Sequence, residues 1–329
     1  MRRLAGLALL AVVLVGACLA SIAVGAKAIP LGGVWHAVFT PTGLEDDIVV
    51  RSLRMPRTLL GVLAGGALGL AGALIQGHTR NPLADPGLLG VTNGAAFFVV
   101  IGIYVFGVGS LYGYVWFAFA GALAASVAVF LLGSVGRGGP TPVTLALAGA
   151  AVSALLAALT SAVVLIDVQT LDAYRFWAVG SLAGRDVEIA GQVIWFLGAG
   201  ALLGLAGAPA LNALSLGEDV ARSLGHSVQR TRVMGVVAIT LLAGSATAAC
   251  GPIAFVGLVV PHVVRSFTGP DYRWLLPASA LAGGALLLVA DVIGRVVVRP
   301  GELQVGIVLA LIGGPFFVWL VRRRKMVAI

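Results

Sequence analysis

The sequence predicts an all-α polytopic membrane protein that crosses the bilayer about ten times. Hydrophobic residues make up 60% of the 329 residues and charged residues only 10%, and the mean hydropathy is +1.06. The 46 glycines are spread through the apolar runs, where small residues let helix backbones approach closely. Soluble globular domains do not have this composition. We therefore interpret the long apolar runs as transmembrane helices.

Ten apolar segments follow one another along the chain, at residues 4–26, 58–76, 88–108, 114–135, 142–166, 188–208, 233–249, 253–267, 274–298 and 303–321. A straight span needs about 20 residues, and segment 253–267 is shorter. It follows Gly251-Pro252 and contains Pro261, which predicts a short or broken helix surrounded by protein. The first segment has the pattern of a signal peptide, and VGAC, which ends at Cys18, resembles a lipoprotein cleavage site. The length of its apolar run and the spans that follow favour an uncleaved first transmembrane helix.

The basic residues predict the orientation of these spans. With the N-terminus inside, the inner side holds thirteen basic and four acidic residues, and the outer side holds eight basic and nine acidic residues. This bias follows the positive-inside rule, so we expect both termini in the cytoplasm. Because the basic residues are scattered between spans, the net charge of +8 does not indicate a nucleic-acid partner. The apolar spans indicate the lipid bilayer as a partner.

A polar island at residues 211–232 separates two apolar runs and predicts a short amphipathic helix. Glu218 and Asp219 fall in its first turn and Arg222 in its last turn, where the helix dipole favours acidic and basic side chains respectively. Gly225 then provides the left-handed residue that commonly ends a helix. The predicted apolar face consists of Val220, Ala221 and Leu224. A helix of about two turns needs a surface to dock on. Either the membrane or a cytoplasmic partner provides that surface.

Several arginines stand on the predicted outer side, against the charge rule, at Arg51, Arg54, Arg57, Arg295 and Arg299. They either pair with lipid phosphate and with nearby acidic residues, or they receive the acidic surface of an external partner. Arginine suits both roles because its guanidinium binds a carboxylate through two parallel hydrogen bonds. The residues alone leave these two interpretations equal.

No catalytic or metal-binding constellation occurs in the sequence. Lys27 and Lys325 are the only lysines, so a GxxxxGK[ST] phosphate loop is impossible, and neither HExxH nor paired Cys/His spacing occurs. Ionisable groups near the middle of the spans are almost limited to His262, which argues against an ion-coupled secondary transporter. We therefore expect a chain that is not an enzyme, binds no metal or cofactor and takes its energy from a partner.

The hexamer LAGGAL occurs twice, at residues 63–68 and 281–286. Five spans on either side of the 167–187 loop would place the two copies in halves of opposite orientation, as in inverted-repeat transporters. In a chain so rich in Leu, Ala and Gly, coincidence is the alternative explanation, and the two hexamers alone do not establish a repeat.

Three stretches resemble the permease subunits of ABC importers for iron-siderophores, haem and cobalamin, the FecCD-like family. They are residues 53–95, residues 214–225, and residues 250–277 with their continuation at 290–308. Residues 81–91, 175–182 and 244–255 look closest to the ferric enterobactin permease subunits. The family motif includes Asn81, Pro82, Pro86, Gly90, Gly251, Pro252, Gly257, Pro261 and His262.

The resemblance implies a type II ABC importer permease in the bacterial cytoplasmic membrane, with one permease domain over residues 1–329. Its implied partners are a second membrane subunit, identical or homologous, two cytoplasmic ATPases that bind ATP, and an external substrate-binding protein. The implied function is ferric-siderophore import by alternating access. Haem or cobalamin import by the same architecture is the alternative.

The resemblance also implies roles for particular residues. Arg54, Arg57 and Arg295 receive glutamates of the binding protein. The ATPase contacts coupling helices at about 211–227, through Leu216, Gly217, Glu218, Asp219, Ala221, Arg222, Leu224 and Gly225. The inner gate lies near the loop GPTPV at 139–143, which makes Thr141, Pro142 and Thr144 gate candidates.

Overall fold

The computed structural model describes residues 2–135, 141–299 and 301–322. Within these ranges the chain forms fifteen α-helices, which are α1 (Arg2–Ala23), α2 (Leu31–Phe39), α3 (Glu45–Ile48), α4 (Met55–Thr79), α5 (Val91–Phe106), α6 (Leu111–Gly133), α7 (Pro142–Ile166), α8 (Val168–Ala178), α9 (Val187–Ala206), α10 (Ala208–Ser215), α11 (Glu218–Ser223), α12 (Val228–Cys250), α13 (Val256–Thr268), α14 (Tyr272–Val297) and α15 (Val305–Arg322). A π-helical turn at Val49–Arg54 joins α3 to α4, and a 3₁₀ turn at Pro86–Leu89 precedes α5.

The ten predicted spans correspond to ten apolar helices, α1, α4, α5, α6, α7, α9, α12, α13, α14 and α15. Seven of the described helical segments are long and apolar enough to cross a membrane, whereas α5, α13 and α15 are shorter. The predicted short eighth span is confirmed, because α13 has 13 residues and contains Pro261.

Polar contacts define the two ends of the bundle. At one end, Arg3 at the start of α1 and Asn212 in α10 both meet Asp271, which caps α14. At the other end, Arg57 at the start of α4 meets Asp291 near the end of α14. We call these ends the Asp271 face and the Arg57 face.

Helices α4 and α12 lie at the centre of the bundle, since 78% and 72% of the residues in their most apolar 18-residue stretches are buried. In the most apolar stretches of α1 and α7, only 11% of the residues are buried. Helices α4 and α14 form the most extensive helix pair among the described residues. They touch through the two LAGGAL copies, because a Cβ on Gly65 or on Gly283 would overlap the backbone carbonyl of the other. The hexamer therefore has a packing role, and the inverted repeat stays a prediction.

The connection between α4 and α5 turns back into the bundle. The carbonyl of Leu89 accepts from Ser126, seven residues before the end of α6, and the carbonyl of Leu88 lies against Gly149, seven residues after the start of α7. At 1.5 Å per residue, both helices place this loop roughly 10 Å inside the Asp271 face. The loop is re-entrant, which explains why α5 is a short helix.

The structure adds helices that the apolar segments do not predict. The predicted outer loop between the first two spans contains α2 and α3, and the 167–187 loop contains α8. Helix α2 has only nine residues, too few for a span. It is amphipathic, with Val34 and Ala37 buried and Trp35 and Phe39 exposed. A short helix of this kind produces no span-length apolar signal.

Candidate functional site

A cavity of about 610 Å³ opens at the Arg57 face, and we call it the arginine cavity. Four arginines line it, together with Lys27 and three acidic residues at Glu45, Asp186 and Glu302. The arginines come from the end of the π-turn, the start of α4, the loop before α9 and the end of α14, and they are Arg54, Arg57, Arg185 and Arg295.

Two of these arginines share one buried carboxylate. Arg57 donates from Nε and Nη2 to Asp291 at 2.8–3.1 Å, and its Nη1 donates to Glu302 at 2.8 Å. Arg295 Nη2 lies 3.1 Å from the second oxygen of Asp291, one helical turn away in α14. Asp291 is fully buried. The predicted pairing of outer arginines with nearby acidic residues is therefore confirmed for Arg57 and Arg295.

The end of α1 and the residues that follow it accept further hydrogen bonds from this group. Arg54 donates to the carbonyls of Ile22, Ala23 and Lys27, and Arg295 donates to the carbonyls of Ser21 and Val24 at 2.9 and 3.0 Å. The last carbonyls of a helix have no partner within the helix, so cations are favourable there. Both arginines thus cap α1. Docking of an external protein by Arg54, Arg57 and Arg295 stays a prediction, since all three are already bonded within the chain.

Arg185 differs from the other three arginines. Its side chain is buried, with the residue 7% exposed, and its Nε makes one long hydrogen bond of 3.5 Å to the carbonyl of Ser181. Its Nη groups donate to no acceptor among the residues that the structure describes. Burial lowers the pKa of the Arg185 guanidinium, which still remains a cation. The sequence analysis did not select Arg185, because nothing in its local pattern shows that it shares a cavity with α4 and α14.

The predicted polar island forms α10 and α11 at the Asp271 face. Glu218 and Asp219 occupy the first turn of α11, Arg222 its last turn, and Gly225 has the left-handed φ of +82°. These predicted boundaries are confirmed. Glu218 also pairs with Arg222 and with Arg232 in α12.

The prediction that Ala221 shares one apolar face with Val220 and Leu224 is wrong. Ala221 is fully buried against Leu214 and Val228, whereas Val220 and Leu224 are 41% and 59% exposed. Helix α11 ends at Ser223, so the spacing of a continuous helix does not extend to Leu224. Leu216, in the turn between α10 and α11, is 68% exposed. The exposed apolar set is therefore Leu216, Val220 and Leu224, with Gly217 in the same turn at a φ of +123°.

The gate candidates begin α7. Thr141 and Thr144 form a reciprocal capping box, Pro142 occupies the first turn, and Thr144 Oγ1 also donates to the carbonyl of Gly133 in α6 at 2.7 Å. The preceding residues Gly139 and Pro140 lie outside the described ranges. These contacts hold the start of α7 against the end of α6, and the gate role stays a prediction.

The family-motif residues lie in the connection between α4 and α5, in the connection before α13, and in α13 itself. Asn81 accepts from the backbone of Leu83, beside Pro82, and Gly90 has a φ of +73° before α5. A Cβ on Gly257 would lie 2.8 Å from Pro86, so α13 packs closely on the re-entrant loop.

The remaining motif residues flank α13. Gly251 has a φ of +77°, and a Cβ there would overlap the carbonyl of Trp177, while Pro252 packs against Gly180. Pro261 and His262 are buried within α13, and His262 Nδ1 meets no hydrogen-bond partner in the described part of the chain.

The re-entrant loop contains Asp85, one of the four acidic residues on the predicted inner side. Asp85 caps the 3₁₀ turn by accepting from the backbone of Gly87 at 2.9 Å. A charge-based topology places such a residue at the membrane surface, because the apolar pattern does not reveal that the loop folds inward.

A helical bundle with short interior helices, a re-entrant loop and polar structures at both faces defines a permease-type membrane protein. Residues 11–323 match the FecCD transport family. The ferric enterobactin transport system permease protein FepD of Escherichia coli (strain K12) is 51% identical over 307 residues, which cover 92% of this chain and 91% of FepD. This chain therefore belongs to the FecCD transport family, as the sequence motifs predict.

Two further comparisons agree with this assignment. The hemin transport system permease protein HmuU of Yersinia pestis is 39% identical over 334 residues, which cover 97% of this chain and 96% of HmuU. A solved structure described as an inward-facing conformation of a metal-chelate type ABC transporter superposes with a TM-score of 0.85 at 30% identity, covering 97% of this chain and 99% of that one. The predicted fold class is thus confirmed.

Proposed function

We propose that this chain is the permease subunit of an ATP-driven ABC importer that carries a ferric siderophore across the bacterial cytoplasmic membrane. The observation that supports a ferric siderophore as the substrate is the 51% identity to FepD, a ferric enterobactin permease by name, over nearly the whole of both chains. Residues 1–329 act as one permease domain, and ATP is bound and hydrolysed by separate ATPase subunits.

The exposed residues Leu216, Val220 and Leu224 support docking of an ATPase at α10 and α11. They stand beside charged residues of α11, so the surface is amphipathic and small. The charged set that surrounds them is Glu218, Asp219 and Arg222. Exposed apolar side chains with a polar rim are typical of a protein-binding site.

The α10–α11 unit is attached to three core helices, which supports a role in coupling. Asn212 bonds to Asp271 and to the backbone of Tyr272 in α14 at 2.7 and 2.9 Å. Arg80, just after α4, donates to the carbonyl of Leu214 at 2.6 Å, and Glu218 pairs with α12. A displacement of α10–α11 by ATP-driven closure of the ATPases therefore acts on α4, α12 and α14 together. Coupling of this kind requires different contacts in two states.

We place the Asp271 face, with both chain termini, in the cytoplasm. The predicted excess of basic residues on this side and the exposed apolar residues of α11 support the same orientation. The arginine cavity then faces the external binding protein. A second membrane subunit, identical or homologous, completes the pathway, and Thr141, Pro142 and Thr144 mark its inner gate at the start of α7.

Uptake of radiolabelled ferric siderophore in a strain deleted for this gene tests the proposal. The wild-type chain should restore uptake that vanadate abolishes and that survives a protonophore. Restored uptake of labelled haem or cobalamin instead would favour the alternative substrates. Uptake that follows an ion gradient without ATP would support the distant alternative, a secondary transporter.

The same strain tests external docking by Arg57. Arg57→Glu should abolish uptake, but this change also sets a third carboxylate beside Asp291 and Glu302. Arg57→Gln is therefore measured in parallel, with Arg51→Gln as the matched control, since Arg51 is an exposed arginine of the same segment. Normal transport by Arg57→Gln, at normal membrane levels, would refute a docking role.

A further inference from the structure

We propose that a cavity at the Asp271 face binds an anionic phospholipid, with the phosphate beside Arg230 and an acyl chain in a groove between α6 and α12. This inference goes beyond the proposed function, because it concerns a ligand that the importer does not carry. Two separate features of the structure lead to it, a cavity with basic side chains and an apolar groove, and Arg230 stands between them.

The cavity has a volume of about 450 Å³ and lies where α4 and α9 end and α10 and α12 begin. Three side chains that can carry positive charge line it, and they are His78, His226 and Arg230. No acidic side chain is among its described lining residues, whereas three carboxylates line the arginine cavity. A cleft lined by one sign of charge concentrates ions of the opposite sign, so this cavity favours an anion.

The basic groups of the cavity are not used within the chain. The side chain of Arg230 is exposed, and its guanidinium meets no acceptor in the part of the chain that the structure describes. His78 Nδ1 has no hydrogen-bond partner among the same residues. Ser227 caps α12 by accepting from the backbone of Arg230 at 3.3 Å, which fixes the helix start that carries this arginine. A guanidinium with unused donors suits a phosphate, which it binds through two parallel hydrogen bonds.

The groove lies on the neighbouring side of α12, where α12 packs against α6. Its volume is about 150 Å³, and its described lining is apolar apart from Ser126 and Thr240. The exposed residues of this lining come from both helices, and they are Leu123, Val127, Leu131, Val233 and Val237. Exposed apolar side chains of a spanning helix lie in the hydrocarbon of the bilayer, so an acyl chain is the ligand that this groove suits.

The register of α12 joins the groove to the cavity. Val233 and Val237 follow Arg230 by three and seven residues, which places all three side chains on one side of the helix. At 1.5 Å per residue, Arg230 lies about 5 and 10 Å closer to the Asp271 face than the two valines. A phospholipid has the same order, with its phosphate at the membrane surface and its acyl chains beneath. A free phosphate would use the cavity and leave the groove empty.

Native mass spectrometry of the purified full chain, titrated with lipid, tests the site. Arg230→Gln should weaken binding of dioleoyl phosphatidylglycerol about fivefold, the effect of one basic residue near an anionic headgroup. Arg273→Gln is the matched control, because Arg273 is also an exposed arginine in the first turn of a spanning helix at this face. Equal losses in the two variants would overturn the proposal.

The groove and the source of the phosphate are tested in the same titration. Val237→Trp fills the groove and should weaken lipid binding, whereas Ile194→Trp in α9, a position of similar exposure, should not. Glycerol 3-phosphate, which has no acyl chain, should compete only weakly. If it competes as well as the lipid and Val237→Trp has no effect, the cavity takes a soluble phosphate and the assignment of a phospholipid is wrong.

Protection of a thiol provides a readout that does not depend on how the Arg230 variants fold. Ala210→Cys places a thiol in the cavity wall of a chain in which Cys18 is replaced, while Cys250 is fully buried. Phosphatidylglycerol in mixed micelles should slow the reaction of this thiol with N-ethylmaleimide more than phosphatidylcholine does. Ser223→Cys, exposed outside the cavity, should react equally in both lipids. Equal rates at position 210 in the two lipids would refute an anionic lipid at this site.

Discussion

Replacing Asp291 with asparagine should destabilise the protein by about 3–5 kcal/mol, the range for removing one partner of a buried ion pair. Asp291 is fully buried, accepts three hydrogen bonds from Arg57 and forms an ion pair with Arg295. Asparagine keeps the shape but removes the charge that both guanidinium groups share. Two buried cations then face each other with Glu302 as the nearest remaining carboxylate, and its side chain is 36% exposed.

Reversible unfolding of the purified chain in mixed micelles measures this loss as a change in the free energy of unfolding. Glu302→Gln is the matched control and should cost at most about 1 kcal/mol, since a partly exposed ion pair contributes little. The triple substitution Arg57→Met, Asp291→Leu and Arg295→Met should recover much of the stability, because it leaves no unpaired buried charge and apolar replacement of a buried charge cluster is often neutral. Equal losses for Asp291→Asn and Glu302→Gln would refute the argument that Asp291 neutralises both arginines.

Three further predictions concern other parts of the fold. Gly283→Val should destabilise the α4–α14 contact by about 1–3 kcal/mol, because its Cβ overlaps a backbone carbonyl, whereas Gly191→Val in α9 meets open space and serves as the control in the same unfolding assay. Leu224→Asp should release the ATPase on co-purification, and Ser223→Asp, also exposed, should not; full retention by Leu224→Asp would contradict the docking site. Asp85→Ala should cost about 1 kcal/mol through the lost cap, and Asp85→Asn should be nearly neutral.

The membrane fold could be predicted because its main signals are local. Apolar length identifies the spans, and a proline near a short apolar run identifies α13 as a short helix. The re-entrant loop could not be predicted in this way. Its residues are polar and turn-forming, like those of a surface loop, and its depth depends on contacts with α6 and α7 that are distant in sequence.

In the candidate site, too, the features with local signals could be predicted and those that depend on distant contacts could not. The ends of α11 could be predicted from its capping residues, but the inward position of Ala221 depends on Leu214 and Val228, which belong to two other helices. The outer arginines could be selected from the charge rule, yet their availability could not. Whether an arginine is free depends on where helix ends and carboxylates lie in three dimensions, as Arg54 and Arg185 illustrate with opposite outcomes.

The α4–α14 pair links the two faces physically. Helix α14 has 26 residues, about 39 Å of helix, and begins at Asp271, where Asn212 attaches α10. It ends beyond Asp291 and Arg295, where Arg57 attaches the start of α4. Between these ends, glycines bring the two backbones into direct contact, which leaves little freedom for one helix to slide on the other. A movement of α10–α11 should therefore reach the arginine cavity as a rigid displacement of the α4–α14 pair, so that the two proposed docking sites, one at each face, are attached to the same rigid unit.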